Sequence, residues 1–475
     1  MLLKGVLKND IMIKSKFGKI LPPQVVDPLG ILPFDQTVRP HPTIDKSSKR
    51  RREEIEKFAR GYVHFLDGAR IASEVVNGVE GLVEGRRDIQ FIRHEDGEAF
   101  ALIREGKRPL KEGLRIIYAH NDSPALKLKV NPRHWEWDPE YQVLHTGAEL
   151  RVFGFGGIQP HQWTGRNDLE LRGYAVINGR RKEIKLLAYS TDTCAHTDIR
   201  RENGDTAAEG FKEESILLST GHRSWKELTS AAGLKHWADF ARSRVLAVTT
   251  ISTKNMPYFV TGYGHDDRAS VYASVRALLD SSPTYSTIVF GFTNEEVGDG
   301  GEGGGRGVFA DMTINDLLVK GRIAKDKFHL TEAVKLDFFR KALAVNADVS
   351  VGATDKEDEL SPRHIDRFNV GKMGFGPFLD CSSGLLEGDQ PSPRLLDRIY
   401  TIFERRKLVF QPIGSPLVAD ESWRIGTMGY IFDRRGITTL NIGPVVGGLH
   451  SPAEIMHKGD LYETSQAYRA ILEDF

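Results

Sequence analysis

Histidine, aspartate and glutamate side chains occur at five places in this 475-residue chain where a predicted strand ends or a predicted helix begins. In chain order these places hold His120, Asp266, the pair Glu295 and Glu296, Asp348, and His450. Ligands in open α/β sheets bind beyond the carboxyl ends of the strands, so we expect these side chains to converge. Acids at the ends of apolar strands destabilise a fold unless a cation compensates them. The pattern therefore predicts a metal site.

The ligand types restrict the metal. Imidazole and carboxylate groups without a thiolate suit zinc, or a harder ion such as cobalt or manganese. Two histidines and three carboxylates are enough for a pair of ions that share one bridging carboxylate, with an open position on each ion. Of the adjacent Glu295 and Glu296, one can bind metal while the other accepts a proton from a water molecule.

Two H-x-D patterns compete for the first ligand position. Asp122 follows His120 by two residues and is placed to accept its far imidazole N–H, which would fix the tautomer. His196 begins a second such pattern with Asp198, so spacing alone does not decide between the two histidines. The preceding strand "LRIIYA" and the following Ser-Pro favour His120.

The stretch "FGFTNEEVGDGGEGGG" also fits a phosphate-binding loop, because Gly298, Gly300 and Gly303 match G-x-G-x-x-G. Its acids argue against a phosphate, since two like charges about 4 Å apart cost roughly 1 kcal/mol even in water. The glycine pattern is also weak in a chain with 47 glycines. A metal is the favoured partner of this loop.

Short apolar runs rich in branched residues predict strands, and longer stretches between them predict helices. The predicted strands are "EAFALIRE", "GLRIIYAH", "TYSTIVFGF", "ALAVNAD" and "ITTLNIGP". Helices are predicted from Lys46 to about Val76 and over "RASVYASVRALLDSS" and "PRLLDRIYTIFERR". This alternation predicts an α/β fold, with a mixed central sheet and helices on both faces. Aromatic and glycine-rich segments predict a mostly-β insertion at 131–253, which divides the α/β domain into 1–130 and 254–475.

Composition excludes several classes of protein. Lys+Arg and Asp+Glu balance at 65 each, which argues against a broad nucleic-acid-binding face. Cys194 and Cys381 form no C-x-x-C pair, so neither a thiolate zinc site nor a disulfide scaffold is expected. Unpaired thiols fit a reducing compartment, and no secretory or membrane-spanning segment is recognisable. We expect a cytoplasmic protein without a membrane partner.

Four motifs carry a resemblance to a known family. "AHNDSPALKLK", "DDRAS", "NEEVG" and "GLHSPAE" resemble, in order and placement, the motifs of the aspartyl aminopeptidase-like family of two-zinc metallopeptidases. The likeness covers most of the chain and is weakest in the insertion. It implies a fold of the zinc exopeptidase type and a metalloaminopeptidase that hydrolyses the N-terminal residue from peptides.

The resemblance also implies individual roles. The implied metal ligands are His120, Asp266 as the bridging group, Glu296, Asp348 and His450. Glu295 matches the family's general base, and Asp122 matches the acid that orients a ligand. His196, in "CAHTD", matches an insertion-domain histidine that enters the active site of a neighbouring subunit. The family's habit of building dodecamers from dimers implies a homo-oligomer, in which the insertion serves assembly.

Two other functions stay open at this point. One is a nucleotide-binding α/β protein that uses the glycine-rich loop at 298–303, and the other is a catalytically inactive peptide-binding scaffold. A scaffold would lack a ligand or the base, whereas this chain has all of them. The stretch "VSVGATDKEDELSPRH" after Asp348 lacks the His-Pro-Asn type of sequence found in aspartate-specific members, so an acidic substrate preference is not predicted.

Overall fold

The structure is a computed structural model that describes residues 42–133, 137–138, 143–144, 148–158, 162–163, 168–190, 216–352, 370–381, 391–414 and 428–475. The strands are β1 Ile89–Arg93, β2 Phe100–Arg104, β3 Leu114–His120, β4 Ala125–Arg133, β5 Trp137–Asp138, β6 Val143–Leu144, β7 Glu149–Phe155, β8 Asp168–Ile177, β9 Arg180–Ser190, β10 Leu217–Ser219, β11 Ser243–Thr249, β12 Lys254–Asn255, β13 Phe259–Gly262, β14 Ser286–Phe292, β15 Ala342–Asn346, β16 Ser350–Val351, β17 Phe378–Asp380, β18 Gln411–Ile413, β19 Thr438–Gly443, β20 Val445–Gly447 and β21 Glu454–His457. The α-helices are α1 Pro42–Asp45, α2 Lys49–Gly68, α3 Ala72–Val83, α4 Trp225–Ala231, α5 His265–Asp280, α6 Phe309–Lys320, α7 Glu332–Phe339, α8 Pro393–Arg405, α9 Tyr430–Asp433 and α10 Lys458–Asp474.

The described residues form a central eight-stranded sheet with the order β1-β2-β14-β3-β15-β19-β17-β18. Strands β14, β3, β15 and β19 run parallel to one another, whereas β2 is antiparallel to β14 and β17 is antiparallel to β19. The sheet is therefore mixed, with a parallel centre. The five strands predicted from apolar runs are β2, β3, β14, β15 and β19.

Helices cover both faces of this sheet, as the sequence predicts. Because side chains alternate along a strand, Ile117 and Ala119 of β3 pack into one core, while Ile116 and Tyr118 pack into the other. The first core includes side chains of α2, α3, α5, α8 and α10. The second includes side chains of α6, α7 and α9.

A closed barrel with the order β10-β7-β4-β11-β8-β9 contains the strands between Ala125 and Thr249 other than the short β5–β6 pair. Its interior is a separate core that includes Leu126, Leu150 and Leu171. Strands β8 and β9 are joined by Asn178-Gly179, and both residues have a positive φ, as a tight hairpin turn requires. The predicted mostly-β insertion is confirmed, and the limits of 131 and 253 stay predictions.

A second, smaller sheet has the order β12-β13-β21-β20-β16. Strand β13 leads into α5, and the turn between β20 and β21 carries His450. This sheet therefore positions the segments that carry Asp266 and His450, two of the predicted metal ligands, which the central sheet does not position.

The prediction of a single helix from Lys46 to about Val76 is wrong. The structure has two helices there, α2 and α3, which are separated near Arg70. The guanidinium group of Arg70 is buried and donates to the carbonyls of Thr249 and Ile251. Arg70 thus contacts the end of barrel strand β11 at the point where the two helices are separated, and its own backbone N–H donates to Glu74 at 2.8 Å. No helix within the described ranges has the length and apolar character needed to cross a membrane.

Candidate metal centre

The carboxyl ends of three parallel strands bring the candidate residues together. His120 is the last residue of β3 and pairs with Phe292, the last residue of β14. Glu295 and Glu296 follow β14 after two residues, and Asp348 follows β15 after one. All of these residues therefore lie at one edge of the sheet, as the strand-end pattern predicts.

Asp266 lies between the two histidines. Its Oδ1 is 3.1 Å from Nε2 of His120, and its Oδ2 is 3.2 Å from Nε2 of His450. In each imidazole the other nitrogen, Nδ1, lies 3.1 Å from a backbone carbonyl, that of Asp122 for His120 and that of Gly157 for His450. A carbonyl only accepts hydrogen bonds, so each Nδ1 carries a proton, and in the neutral form of each ring the Nε2 lone pair is turned toward Asp266.

Lone pairs that face each other at this distance repel unless a cation or a proton lies between them. Oδ1 of Asp266 and Oε1 of Glu296 are buried, and neither has a hydrogen-bond partner within the described residues. A buried polar group without a partner is costly, and a bound metal ion removes that cost. The donor set fits divalent metal ions.

Three further carboxylates complete the cluster. Oδ1 of Asp348 is 3.7 Å and Oε2 of Glu295 is 3.8 Å from Nε2 of His120. Oε2 of Glu296 is 3.8 Å from Nε2 of His450. The possible ligand groups are His120 with Asp266 and Asp348, His120 with Glu295 and Glu296, and Asp266 with Glu296 and His450. The potential ligand atoms within each group lie within 4.8 Å of one another.

Asp122 orients this cluster through contacts that differ from the expected one. Its backbone carbonyl, rather than its carboxylate, makes the close contact with Nδ1 of His120, since the nearer carboxylate oxygen is 3.6 Å away. The carboxylate instead accepts the backbone N–H groups of Glu295 at 3.3 Å and Glu296 at 3.2 Å. Asp122 therefore positions the segment that carries both glutamates as well as the imidazole.

His450 is held by contacts from separate segments. Its φ of 64° is unusual for a residue other than glycine. The indole N–H of the buried Trp163 donates to its carbonyl at 3.1 Å, and Glu454 accepts its backbone N–H at 2.9 Å. Gly157, just beyond barrel strand β7, supplies the carbonyl for Nδ1. The barrel side of the molecule thus positions this histidine.

Glu454, Trp163 and Gly157 were missed by sequence reasoning. Glu454 lies inside the quoted motif "GLHSPAE" and is fully buried, and its Oε2 also accepts the backbone N–H of Asp266 at 3.2 Å. A glutamate four residues after a candidate ligand could have been predicted to support the backbone of that ligand. The contacts of Trp163 and Gly157 depend on tertiary structure and leave no local signal.

The electrostatics of the cluster favour bound cations. Burial raises the pKa of Glu295 and Glu296 well above the usual range, and the nearby carboxylates, including Asp266, raise it further. Burial also raises the pKa of Asp266, but contacts with His120 and His450 in their protonated forms outweigh burial and hold that pKa below its usual range, so Asp266 requires positive charge at both Nε2 positions. Packing so many buried carboxylates together is unfavourable without positive charge among them.

The glycine-rich loop folds onto itself rather than around an open anion site. The N–H of Thr293 donates to Gly303, and the N–H of Asp299 donates to Asn294. A Cβ atom on Gly304 would lie 2.3 Å from the carbonyl oxygen of Asp299, so the close turn needs glycine there. The next α-helix, α6, begins only at Phe309. The dinucleotide-binding alternative is not favoured.

His196 and Asp198, the competing H-x-D pair, lie outside the described residues. The same is true of most of the acidic stretch that follows Asp348, from 353 to 369. Of the two histidines that compete for the first ligand position, only His120 lies in the described part of the chain, and it does lie in the cluster.

A mixed α/β sheet with imidazoles and carboxylates gathered at the carboxyl ends of its parallel strands defines a metallopeptidase of the exopeptidase class. A family model described as "Aminopeptidase I zinc metalloprotease (M18)" matches residues 82–193 and 253–472. The chain belongs to the M18 family of aminopeptidases, which are hydrolases. The resemblance seen in the motifs is thereby confirmed.

Individual relatives agree with this assignment. A probable M18 family aminopeptidase 1 from Thermotoga maritima is 26% identical over 466 residues, which cover 89% of this chain and 97% of the relative. A protein of the same name from Clostridium acetobutylicum is 24% identical over 475 residues, or 90% of this chain and 97% of the relative. The chain therefore spans nearly the full length of these relatives.

Solved structures support the fold. The crystal structure of an M18 aminopeptidase from Thermotoga maritima has a TM-score of 0.77 at 24% identity, covering 90% of this chain and 98% of its own. Aminopeptidase I from Clostridium acetobutylicum has a TM-score of 0.75 at 21% identity, covering 92% and 100%. The S. cerevisiae mApe1 dodecamer has a TM-score of 0.64 at 14% identity, covering 88% and 97%.

Proposed function

We propose that this aminopeptidase releases the N-terminal residue of peptides at a site for two divalent ions. His120 and Asp348 would hold one ion, Glu296 and His450 would hold the other, and Asp266, between the two histidines, would serve both. The observation that carries this assignment is that the two oxygens of Asp266 each face an imidazole Nε2, at 3.1 and 3.2 Å. A carboxylate in that position is suited to bridge two ions.

When bound, such ions polarise the scissile carbonyl and lower the pKa of a water molecule toward neutrality. Glu295 takes the proton from the attacking water and then gives it to the amine that leaves. Its side chain is 11% exposed, against 4% for Glu296, so it is the more accessible of the two to a reacting group. Its raised pKa, caused first by burial, suits a group that must both accept and release a proton.

We propose zinc as the metal, with cobalt or manganese as workable replacements. Two imidazoles and several carboxylates without a thiolate suit all three ions. The "zinc metalloprotease" description of the family supports zinc. The proposed content is two ions per chain.

We further propose a homo-oligomer in which dimers build a dodecamer and the insertion at 131–253 serves assembly. The dodecameric S. cerevisiae neighbour supports this arrangement. In such an assembly His196 would enter the active site of an adjoining copy and stabilise the oxyanion. The remaining parts, 1–130 and 254–475, would form the catalytic domain of a cytoplasmic protein.

The experiment that tests the function compares a free and an N-acetylated version of one peptide with the metal-loaded protein. Mass spectrometry should detect release of the first residue from the free peptide only, and a chelator should stop it. Turnover of the blocked peptide would contradict an aminopeptidase. No turnover by fully metal-loaded protein would instead support the inactive peptide-binding scaffold.

A further inference from the structure

A cavity of about 170 Å³ lies between the barrel and the loops at the carboxyl end of the central sheet. The positively charged residues on its wall are Arg70, Lys127, Arg172, Arg244 and Arg268. The acidic residues on its wall are Glu98 and Asp122. The described wall therefore carries more positive than negative charge, and it contains none of the five proposed metal ligands.

Two of the cations are matched by carboxylates. They are Arg172, which contacts Glu74 and Glu170, and Arg244, which contacts Glu98 and Asp96. The charge of Asp122 is likewise engaged, by the backbone N–H groups of two glutamates. The remaining cations of the wall, Arg70, Lys127 and Arg268, have fewer carboxylate contacts, and among the described residues only Arg70 has one, with Asp67.

Arg268 is the clearest case of an unmatched charge. It is fully buried, and its guanidinium group donates to the carbonyls of Tyr263 at 3.3 Å and Arg70 at 2.7 Å. Its guanidinium carbon lies 4.9 Å from the centre of the Tyr263 ring, its Nε has no hydrogen-bond partner, and within the described residues no carboxylate lies in ion-pair contact with it. Carbonyl dipoles solvate a buried cation but do not neutralise its charge. Arg268 therefore has both a charge and an N–H group available to bind an anion.

Arg70 and Lys127 add further positive charge to the wall of the cavity. Arg70 is bonded mainly to carbonyls, and its one carboxylate contact, with Asp67, is long at 3.4 Å. Lys127 packs over the ring of Phe155, and no ion pair joins it to a carboxylate of the described residues. Burial lowers the pKa of both cations. Asp67 raises the pKa of Arg70 while Arg172 and Arg268 lower it, and Arg244 lowers the pKa of Lys127 while Glu98 raises it. The cations of this wall therefore repel one another.

We propose that this cavity binds a small tetrahedral oxyanion of the sulfate and phosphate class, held by Arg70, Lys127 and Arg268. Guanidinium groups match such oxygens with paired N–H donors, and a lysine supplies a point charge. Lys127 belongs to barrel strand β4 and Arg268 to helix α5, so the anion joins the barrel to the catalytic sheet.

The anion would also lie close behind the metal cluster without touching it. Ser123 lines the same cavity, and its hydroxyl donates to the carbonyl of Asp266. Occupancy should therefore stabilise the protein as a whole.

The test is calorimetric titration of sulfate into the metal-loaded protein at constant ionic strength. We expect saturable binding of about one sulfate per chain and at least tenfold weaker binding in Lys127→Gln. This substitution removes one charge from a half-buried position and leaves the buried arginines in place. Lys129→Gln, on the same strand but off the cavity wall, is the matched control and should bind like the parent protein.

Two further titrations separate this site from the metal centre and from general charge effects. Chelator-treated protein should bind sulfate with the same affinity, because no metal ligand lines the cavity. Chloride and acetate at equal ionic strength should compete poorly. The proposal is overturned by an absent isotherm, by unchanged binding in Lys127→Gln, by binding that disappears with the metal, or by equal competition from chloride or acetate.

Discussion

Oε1 of Glu454 accepts the backbone N–H of His450 at 2.9 Å, inside the turn between β20 and β21. The second oxygen of the same carboxylate accepts the N–H of Asp266 at 3.2 Å. One buried side chain thus fixes the backbones of two proposed ligands that are far apart in sequence. The spacing between His450 and Asp266 depends on Glu454.

Glu454→Gln should weaken metal binding without unfolding the protein. A glutamine has one acceptor and one NH₂ donor, so one of the two backbone N–H groups would face another donor. Loss of such supporting contacts typically costs about 10- to 100-fold in metal affinity. Competition with a chromophoric chelator measures the affinity. Glu473→Gln, near the end of α10, alters the acceptor of the Ser282 backbone N–H and should leave the metal affinity unchanged.

The adjacent glutamates should separate metal binding from proton transfer. Glu295→Gln should retain both ions and lose about 10²- to 10⁴-fold in kcat, because it removes the proposed proton acceptor. Glu296→Gln should lose metal, since it removes a proposed ligand. Elemental analysis together with kcat distinguishes the two. Equal metal content in both variants, or full activity in Glu295→Gln, would show that the roles are misassigned.

The strand ends were predictable because the signal for them is local. Apolar runs such as "GLRIIYAH" define β3 and place His120 at its end, and parallel pairing of β3 with β14 and β15 then brings the acids together. The ligand set could therefore be proposed from spacing and residue type. The same logic could not reveal Glu454, because its role comes from contacts between β21 and two distant segments.

The barrel and the break near Arg70 were harder to predict from the sequence, because both involve contacts between distant segments. Closure of the barrel depends on β10, whose three residues Leu217–Ser219 pair with β7, while Leu218 and Ser219 also pair with β9. Nothing in so short a segment indicates two partners. At the break between α2 and α3, Arg70 contacts the carbonyls of Thr249 and Ile251, about 180 residues away, whereas Gly68 at the end of α2 is a local signal that the sequence analysis did not use.

Removal of metal should destabilise the protein as well as inactivate it. Ligands that bind only the folded state stabilise it by RT ln(1 + [L]/Kd), about 4 kcal/mol at a thousandfold excess over Kd. The buried carboxylates around Asp266 and Glu296 would then face one another without compensating charge. Thermal unfolding with and without a chelator measures the effect. A chelator saturated with zinc beforehand is the control and should leave Tm unchanged.

Trp163→Phe tests whether the barrel side of the protein positions His450. Phenylalanine keeps an aromatic ring in the buried site but removes the indole N–H that donates to the His450 carbonyl at 3.1 Å. A lost hydrogen bond of this kind costs about 1 kcal/mol. We expect weaker binding of the second ion and a lower kcat, with KM little changed because Trp163 makes no proposed contact with the peptide.

The control for this substitution is Trp225→Phe, at the start of α4 and away from the metal cluster, which should change neither metal content nor kcat. Metal occupancy, measured by elemental analysis after dialysis against limiting zinc, is the decisive observation. If Trp163→Phe retains two ions with the affinity of the parent protein, the contact contributes to packing alone. If it retains one ion and regains the second at higher zinc, the position of His450 as a ligand depends on the indole N–H.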